Sequence, residues 1–175
     1  MLEVMLAAAK FAAATRWRVF PTINKKPPAG FKWQDDAVEH GRVGGLDWSQ
    51  ADGYGVLLPH GVVVVDLDTD GNGDLTVARQ TLATLKPEAQ EALRRTREGE
   101  TGWAVKTRSG GLHLYCYAEG GLNRQVKVGP GVDLRLGGHG YVIGPGSPGY
   151  ELTAGTINPN RLAIFPFGGW RSRGM

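Results

Sequence analysis

The sequence predicts an α+β fold. Helical and strand-like stretches are both present, yet they do not alternate as regular strand–helix–strand units, so a doubly wound parallel sheet is disfavoured. The second half is a succession of short apolar runs separated by glycine-rich turns, the texture of short strands. One run, VVVVDLD at 62–68, is a poor helix and a good buried strand, because four β-branched residues lead directly into carboxylates. The length of 175 residues suits one domain with a real core and room for two lobes. That domain is expected to span 1–170, with 171–175 as a tail.

Each element follows from local pattern. Residues 2–14, rich in Ala and Leu, read as a helix. Residues 17–20 (WRVF) read as a short strand. Residues 21–31 (PTINKKPPAGF) read as a loop held by three prolines and a glycine. A short helix is expected around 34–40. Residues 53–58 (GYGVLL) and 62–68, joined by Pro59, His60 and Gly61, read as a hairpin. Leu75, Ala78, Leu82 and Leu85 recur every three or four residues, so 73–85 predicts a helix. Residues 87–98 predict a second, with Pro87 in its first turn, where no amide hydrogen is needed. Short strands are expected at 103–107, 112–117, 132–136 and 140–144. A strand and a closing segment are expected at 150–153 and 161–167, and 168–175 are expected to fray.

Composition narrows the function classes. Hydrophobic content of 41% and charged content of 21% fit a soluble globular protein. The net charge of +3 is compatible with nucleic acid without requiring it. A single cysteine, Cys116, rules out an internal disulfide framework and a cysteine-rich zinc site. It lies in the apolar run LHLYCY and reads as a buried, inert thiol. No apolar run approaches the roughly 20 residues of a membrane span. Glu3 stands where a secretory signal would carry positive charge, and Lys10 interrupts the apolar stretch. A cytoplasmic protein without membrane association is expected.

The carboxylates after the valine run carry the chemistry, and three readings compete. DLDTDGNGD matches the opening of a calcium loop, but the twelfth loop position, a bidentate Glu in such loops, is Val77, and a strand precedes it. A strand ending in D-x-D also opens a family of metal-dependent phosphohydrolases, with the first Asp as nucleophile. Here Asp70 replaces the expected Thr or Val, and the acidic pair Asp35–Asp36 lies before the strand rather than after it. The third reading is nucleotidyl transfer. Asp66 and Asp68 project to one face of a strand, where two carboxylates repel unless a cation lies between them. Oxygen-only ligands suit a hard ion such as Mg²⁺ or Mn²⁺. Downstream, TRSGGLHLY offers Ser109, Gly110, Gly111 and His113. The glycines would let backbone N–H groups approach phosphate oxygens, and the two side chains are hydrogen-bond donors. GVDLRLGGHGYVIGPGS offers Asp133 as a third carboxylate, with Arg135 on the same strand face for a phosphate. Asp70 and Asp74 read as turn and helix-cap residues.

Taken in order, VVVVDLD, SGGLHLY and GVDLRLGGHGYVIGPGS resemble the motifs of the Prim-Pol branch of the archaeo-eukaryotic primase superfamily, and VFPTINKKP…GFKW is similar to that family's N-terminal segment. The resemblance runs from about residue 20 to 150. It implies a two-lobed primase-polymerase core with an RRM-like mixed or antiparallel sheet and flanking helices. It implies two Mg²⁺ or Mn²⁺ ions on Asp66, Asp68 and Asp133. It further implies phosphate contacts from Ser109 and His113, and Lys26 near nucleotide or template. The implied partners are a single-stranded DNA template, a primer and dNTP or NTP. A helical accessory domain and a helicase would follow in a full-length protein. No G-x-x-x-x-G-K-[ST] loop occurs in this chain. A nucleic-acid-binding module that keeps the fold without catalysis is the non-enzymatic alternative.

Overall fold

The computed structural model describes residues 1–119 and 126–166. The expected tail, and the end of the 1–170 domain, lie outside them. Helix α1 (Leu2–Thr15) buries Val4, Ala8, Phe11, Ala12 and Thr15, the stripe that its three-to-four spacing places on one side. It ends at Arg16, whose left-handed backbone lets its N–H bond the Ala12 carbonyl. Strand β1 (Arg18–Thr22) pairs antiparallel with β2 (Gly53–Leu57), and β2 with β8 (Tyr141–Ile143), giving a three-stranded sheet.

The larger, seven-stranded sheet is built around β3 (Val62–Leu67), flanked by β5 (Leu112–Glu119) and β7 (Val132–Leu136). Beyond β7 lies β6 (Val126–Gly129). Beyond β5 lie β4 (Trp103–Lys106) and then β9 (Glu151–Gly155). Strand β10 (Ala163–Pro166) runs parallel to the far half of β5, and all other pairings are antiparallel. The fold is α+β, as expected.

All six residues of β3 are buried, and their alternation decides the architecture. Val63, Val65 and Leu67 face α3 (Thr76–Leu82) and α4 (Pro87–Arg97), packing with Ala78, Leu93 and Leu114. Val62 and Val64 face the small sheet and α1, packing with Phe11, Tyr54, Trp103 and Tyr115. Each valine so buried contributes about 1.5–3 kcal/mol relative to leaving it exposed. Cys116 is buried, and burial pushes its thiol up to about 12, which makes it inert at neutral pH.

Four expectations change. The hairpin over 53–68 does not form: β2 takes its partners from β1 and β8, while β3 takes β5 and β7. A strand buried on both faces needs neighbours at both edges, and Pro59–Gly61 carries the chain from one sheet to the other instead of folding it back. The helix at 34–40 is only α2 (Trp33–Asp36), because Val38 turns extended and exchanges two backbone hydrogen bonds with Val19, each of 2.9 Å. A 3₁₀ helix, His40–Gly45, follows. The loop at 21–31 begins inside β1 and contains a tight turn in which Ile23 and Lys26 pair across Asn24 and Lys25, both left-handed. That is the geometry of a two-residue hairpin turn, and Asn tolerates it best among non-glycine residues. Strand β6 lies in a stretch read as polar and glycine-rich. Among the described residues no helix is long and apolar enough to cross a membrane.

Candidate active site

The face of β3 that packs on the small sheet ends in Asp66. Register places Asp66 directly opposite His113 on β5 and Asp133 on β7. Directly opposed residues share a sheet face, so all three side chains project to the same side. Arg135, opposite Val64, joins them two residues along β7. The polar cluster thus begins where the valine core stops, at the rim between the two sheets.

Asp66 is only 9% exposed. One carboxylate oxygen is 3.5 Å from Arg135 Nη2 and the other is 3.5 Å from His113 Nε2. Burial pushes the Asp66 carboxyl above the usual range. The Arg135 guanidinium opposes that rise and Asp133 adds to it. Asp68 is also pushed up, by burial first and then by Asp66 and Asp133. Burial, followed by Arg135, holds the His113 imidazole down at about 4. His113 is therefore neutral at pH 7, and its approach to Asp66 is a long polar contact rather than an ion pair. Its Nδ1 is buried without a hydrogen-bond partner.

A cavity of about 390 Å³ opens over this cluster. Asp66, Asp68, Ser109, His113 and Arg135 line it, so five of the sequence-derived residues converge. Asp133 faces Asp66 in register but does not line the cavity. Gly110 and Gly111 do not line it either. Gly110 donates its N–H to Thr107 O within the β4–β5 turn, and Gly111 lies so close to Leu67 that a β-carbon there would be 2.3 Å from the Leu67 carbonyl oxygen. Their observed part is to bring the Ser109 turn against the end of β3. Lys26 is outside the cavity and its neighbour Lys25 is inside. Asp70 and Asp74 both close turns ahead of α3, whose N-cap is Leu75 rather than the expected Asp74: Asp70 Oδ1 accepts from Asn72 N at 2.8 Å and Asp74 Oδ1 accepts from Thr76 N at 2.8 Å.

Lys25, Trp33, Thr107, Tyr141 and Tyr150 also line the cavity, and no sequence motif marks Trp33, Thr107 or Tyr150 as a site residue. The signal for Lys25 was the Asn24–Lys25 pair, a two-residue turn hidden in a proline-rich loop. Asp52 accepts the Asn24 N–H at 2.9 and 3.1 Å, and the Tyr141 hydroxyl donates to the Lys25 carbonyl at 3.0 Å, so the turn is held at both central residues.

The donor chemistry fits a hard divalent cation. Asp66, Asp68 and Asp133 offer only oxygen; burial first, and then repulsion from neighbouring carboxylates, raises two of them, and a cation between them would relieve that repulsion. Among the described residues no three His, Cys, Asp or Glu side chains already converge as a metal cage, and Asp66 instead meets Arg135 and His113.

Comparison with the curated proteins finds no match. The family model for bifunctional DNA primase/polymerase, N-terminal (Prim-Pol), matches residues 8–166, which include every strand and helix that builds the cavity. With most of its length covered, this chain belongs to the Prim-Pol family.

Proposed function

We propose that the chain is the catalytic core, residues 1–170, of a DNA primase-polymerase. It adds nucleotides from dNTP or NTP to the 3′-hydroxyl of a primer on a single-stranded DNA template during cytoplasmic DNA replication. The observation that carries this is the register of β3: Asp66 stands opposite both Asp133 and His113, over a cavity with cationic Lys25 and Arg135, inside the family match. In the step, the 3′-oxygen forms a bond to the α-phosphorus. The bond from that phosphorus to the bridging oxygen breaks, pyrophosphate leaves, and the hydroxyl proton passes to solvent.

Ser109, Lys25 and Arg135 bind the triphosphate, and neutral His113 donates one ring N–H to it. Gly110 and Gly111 hold Ser109 at the end of β3, and Lys26 contacts the template backbone from outside the cavity. Asp66, Asp68 and Asp133 would hold two Mg²⁺ or Mn²⁺ ions, which neutralise the triphosphate and make the hydroxyl a better nucleophile. The residues' share is positioning and charge complementarity, with no covalent enzyme intermediate. A helical accessory domain and a helicase acting with this core belong to the same proposal.

The test is extension of a labelled primer on a DNA template, with dNTPs and either ion. Template-dependent extension is expected, with Asp66→Asn and Asp133→Asn inactive though folded. Full activity in either variant overturns the site assignment.

A further inference from the structure

The acidic wall of the cavity faces a second wall of different chemistry. It is formed by the small sheet and the segment that joins β1 to β2, and Lys25, Trp33 and Tyr141 line it. The Trp33 ring lies 5.0 Å from that of Tyr141 at 64°, and 6.3 Å from that of Phe20 at 27°. Phe20 is fully buried and meets Tyr141 edge-on at 5.1 Å. Trp33 is thus a half-buried indole with two rings bracing it. The Tyr141 hydroxyl is already committed to the Lys25 carbonyl. Tyr141 therefore fixes the turn and the indole, and its hydroxyl hydrogen is committed to that turn.

A nucleotide has a charged end and a flat end. Ser109, Arg135 and Lys25 suit the charged end. Among the residues lining the cavity, the indole offers the largest flat apolar surface, and a braced aromatic costs little entropy when a second ring stacks on it. The volume of about 390 Å³ is in the range of small-ligand sites. The geometry points to Trp33 as the base platform: its indole stacks on the nucleobase of the incoming nucleoside triphosphate. This rests on the nucleotidyl-transfer reading above. Stacking suits a templated reaction because every base has a π face, so the contact tolerates all four.

The test is equilibrium binding of dATP, dCTP and inorganic tripolyphosphate to the whole chain at fixed Mg²⁺, without DNA, so that no turnover occurs. Trp33→Leu keeps apolar bulk but removes the aromatic face. It is expected to weaken both nucleotides roughly 10-fold and to leave tripolyphosphate unchanged. Trp33→Phe, which keeps a face, is expected to bind nucleotides within about threefold of the parent. Lys25→Met is expected to weaken all three ligands. Equal dATP affinity in the parent and Trp33→Leu overturns the platform, and so does a Trp33→Leu loss that extends equally to tripolyphosphate. Failure of the parent to bind any nucleotide overturns both this inference and the function it rests on. Binding through Trp33 without any primer extension overturns the polymerase function alone and leaves the platform standing.

Discussion

Replacing Gly111 by Ala tests the packing that joins the β4–β5 turn to β3, the strand that carries Asp66. Its backbone φ lies outside the left-handed region, so alanine carries no conformational penalty there and any effect is steric. The added β-carbon would be 2.3 Å from the Leu67 carbonyl oxygen and 3.0 Å from Thr107 Oγ1. Ordinary contact begins at 3.4 Å, so the turn and the end of β3 must separate by roughly 1 Å. Leu67 lies between Asp66 and Asp68, and Ser109 rides on the turn that moves. Overpacking of this kind costs about 1–3 kcal/mol of stability. A displacement near 1 Å in a positioning-dependent reaction costs roughly 100-fold in turnover. Urea unfolding at pH 7 and single-nucleotide extension rates measure the two effects separately. Gly71→Ala is the control, since a β-carbon there meets nothing within 4 Å and its φ is also unrestricted. Both quantities are expected to stay near the parent's in that variant. Parental stability and turnover in Gly111→Ala would refute the close approach and the positioning argument built on it.

Three further outcomes follow from the site. Burial lowers His113 from 6.5 to about 4, so the folded state resists a proton that the unfolded chain accepts. The associated stability, about 3 kcal/mol, is present above pH 6.5 and lost as pH falls toward 4; urea unfolding across that window should show a flatter profile for His113→Gln than for the parent. Asp66 has the opposite sign: its pKa is raised, so its stabilising contribution is present at low pH and lost as pH rises through the folded value. Asp66→Asn should therefore be at least as resistant to heat as the parent at pH 7 while losing extension activity, and a large fall in Tm would contradict the burial argument. Tyr141→Phe removes the hydrogen bond to the Lys25 carbonyl, which should cost about 0.5–1.5 kcal/mol and raise the nucleotide KM several-fold with kcat little changed.

Much of this was legible because it is local. Four valines before two aspartates define a buried strand with a polar end, and the structure keeps Asp66, Asp68, Ser109, His113 and Arg135 around one cavity. Partner choice was not legible. Residues 53–58 and 62–68 look like a hairpin because they are adjacent and apolar, but β3 is paired by strands some 50 to 70 positions away, whose register no local pattern reveals. Lys25 and Lys26 are indistinguishable by composition. The left-handed turn at Asn24–Lys25, fastened by Asp52 and Tyr141, decides which one reaches the cavity. Trp33 falls between the loop read at 21–31 and the short helix read at 34–40, and its bracing rings come from the distant β1 and β8.

The most direct measurement is the product balance of the reaction. With α-labelled dNTP, primer and template, the account predicts one pyrophosphate released for each nucleotide incorporated, only for the base that the template specifies, and neither product from Asp66→Asn. Release of inorganic phosphate with no incorporated label, independent of template, would contradict nucleotidyl transfer and return the aspartates at the end of β3 to a phosphohydrolase.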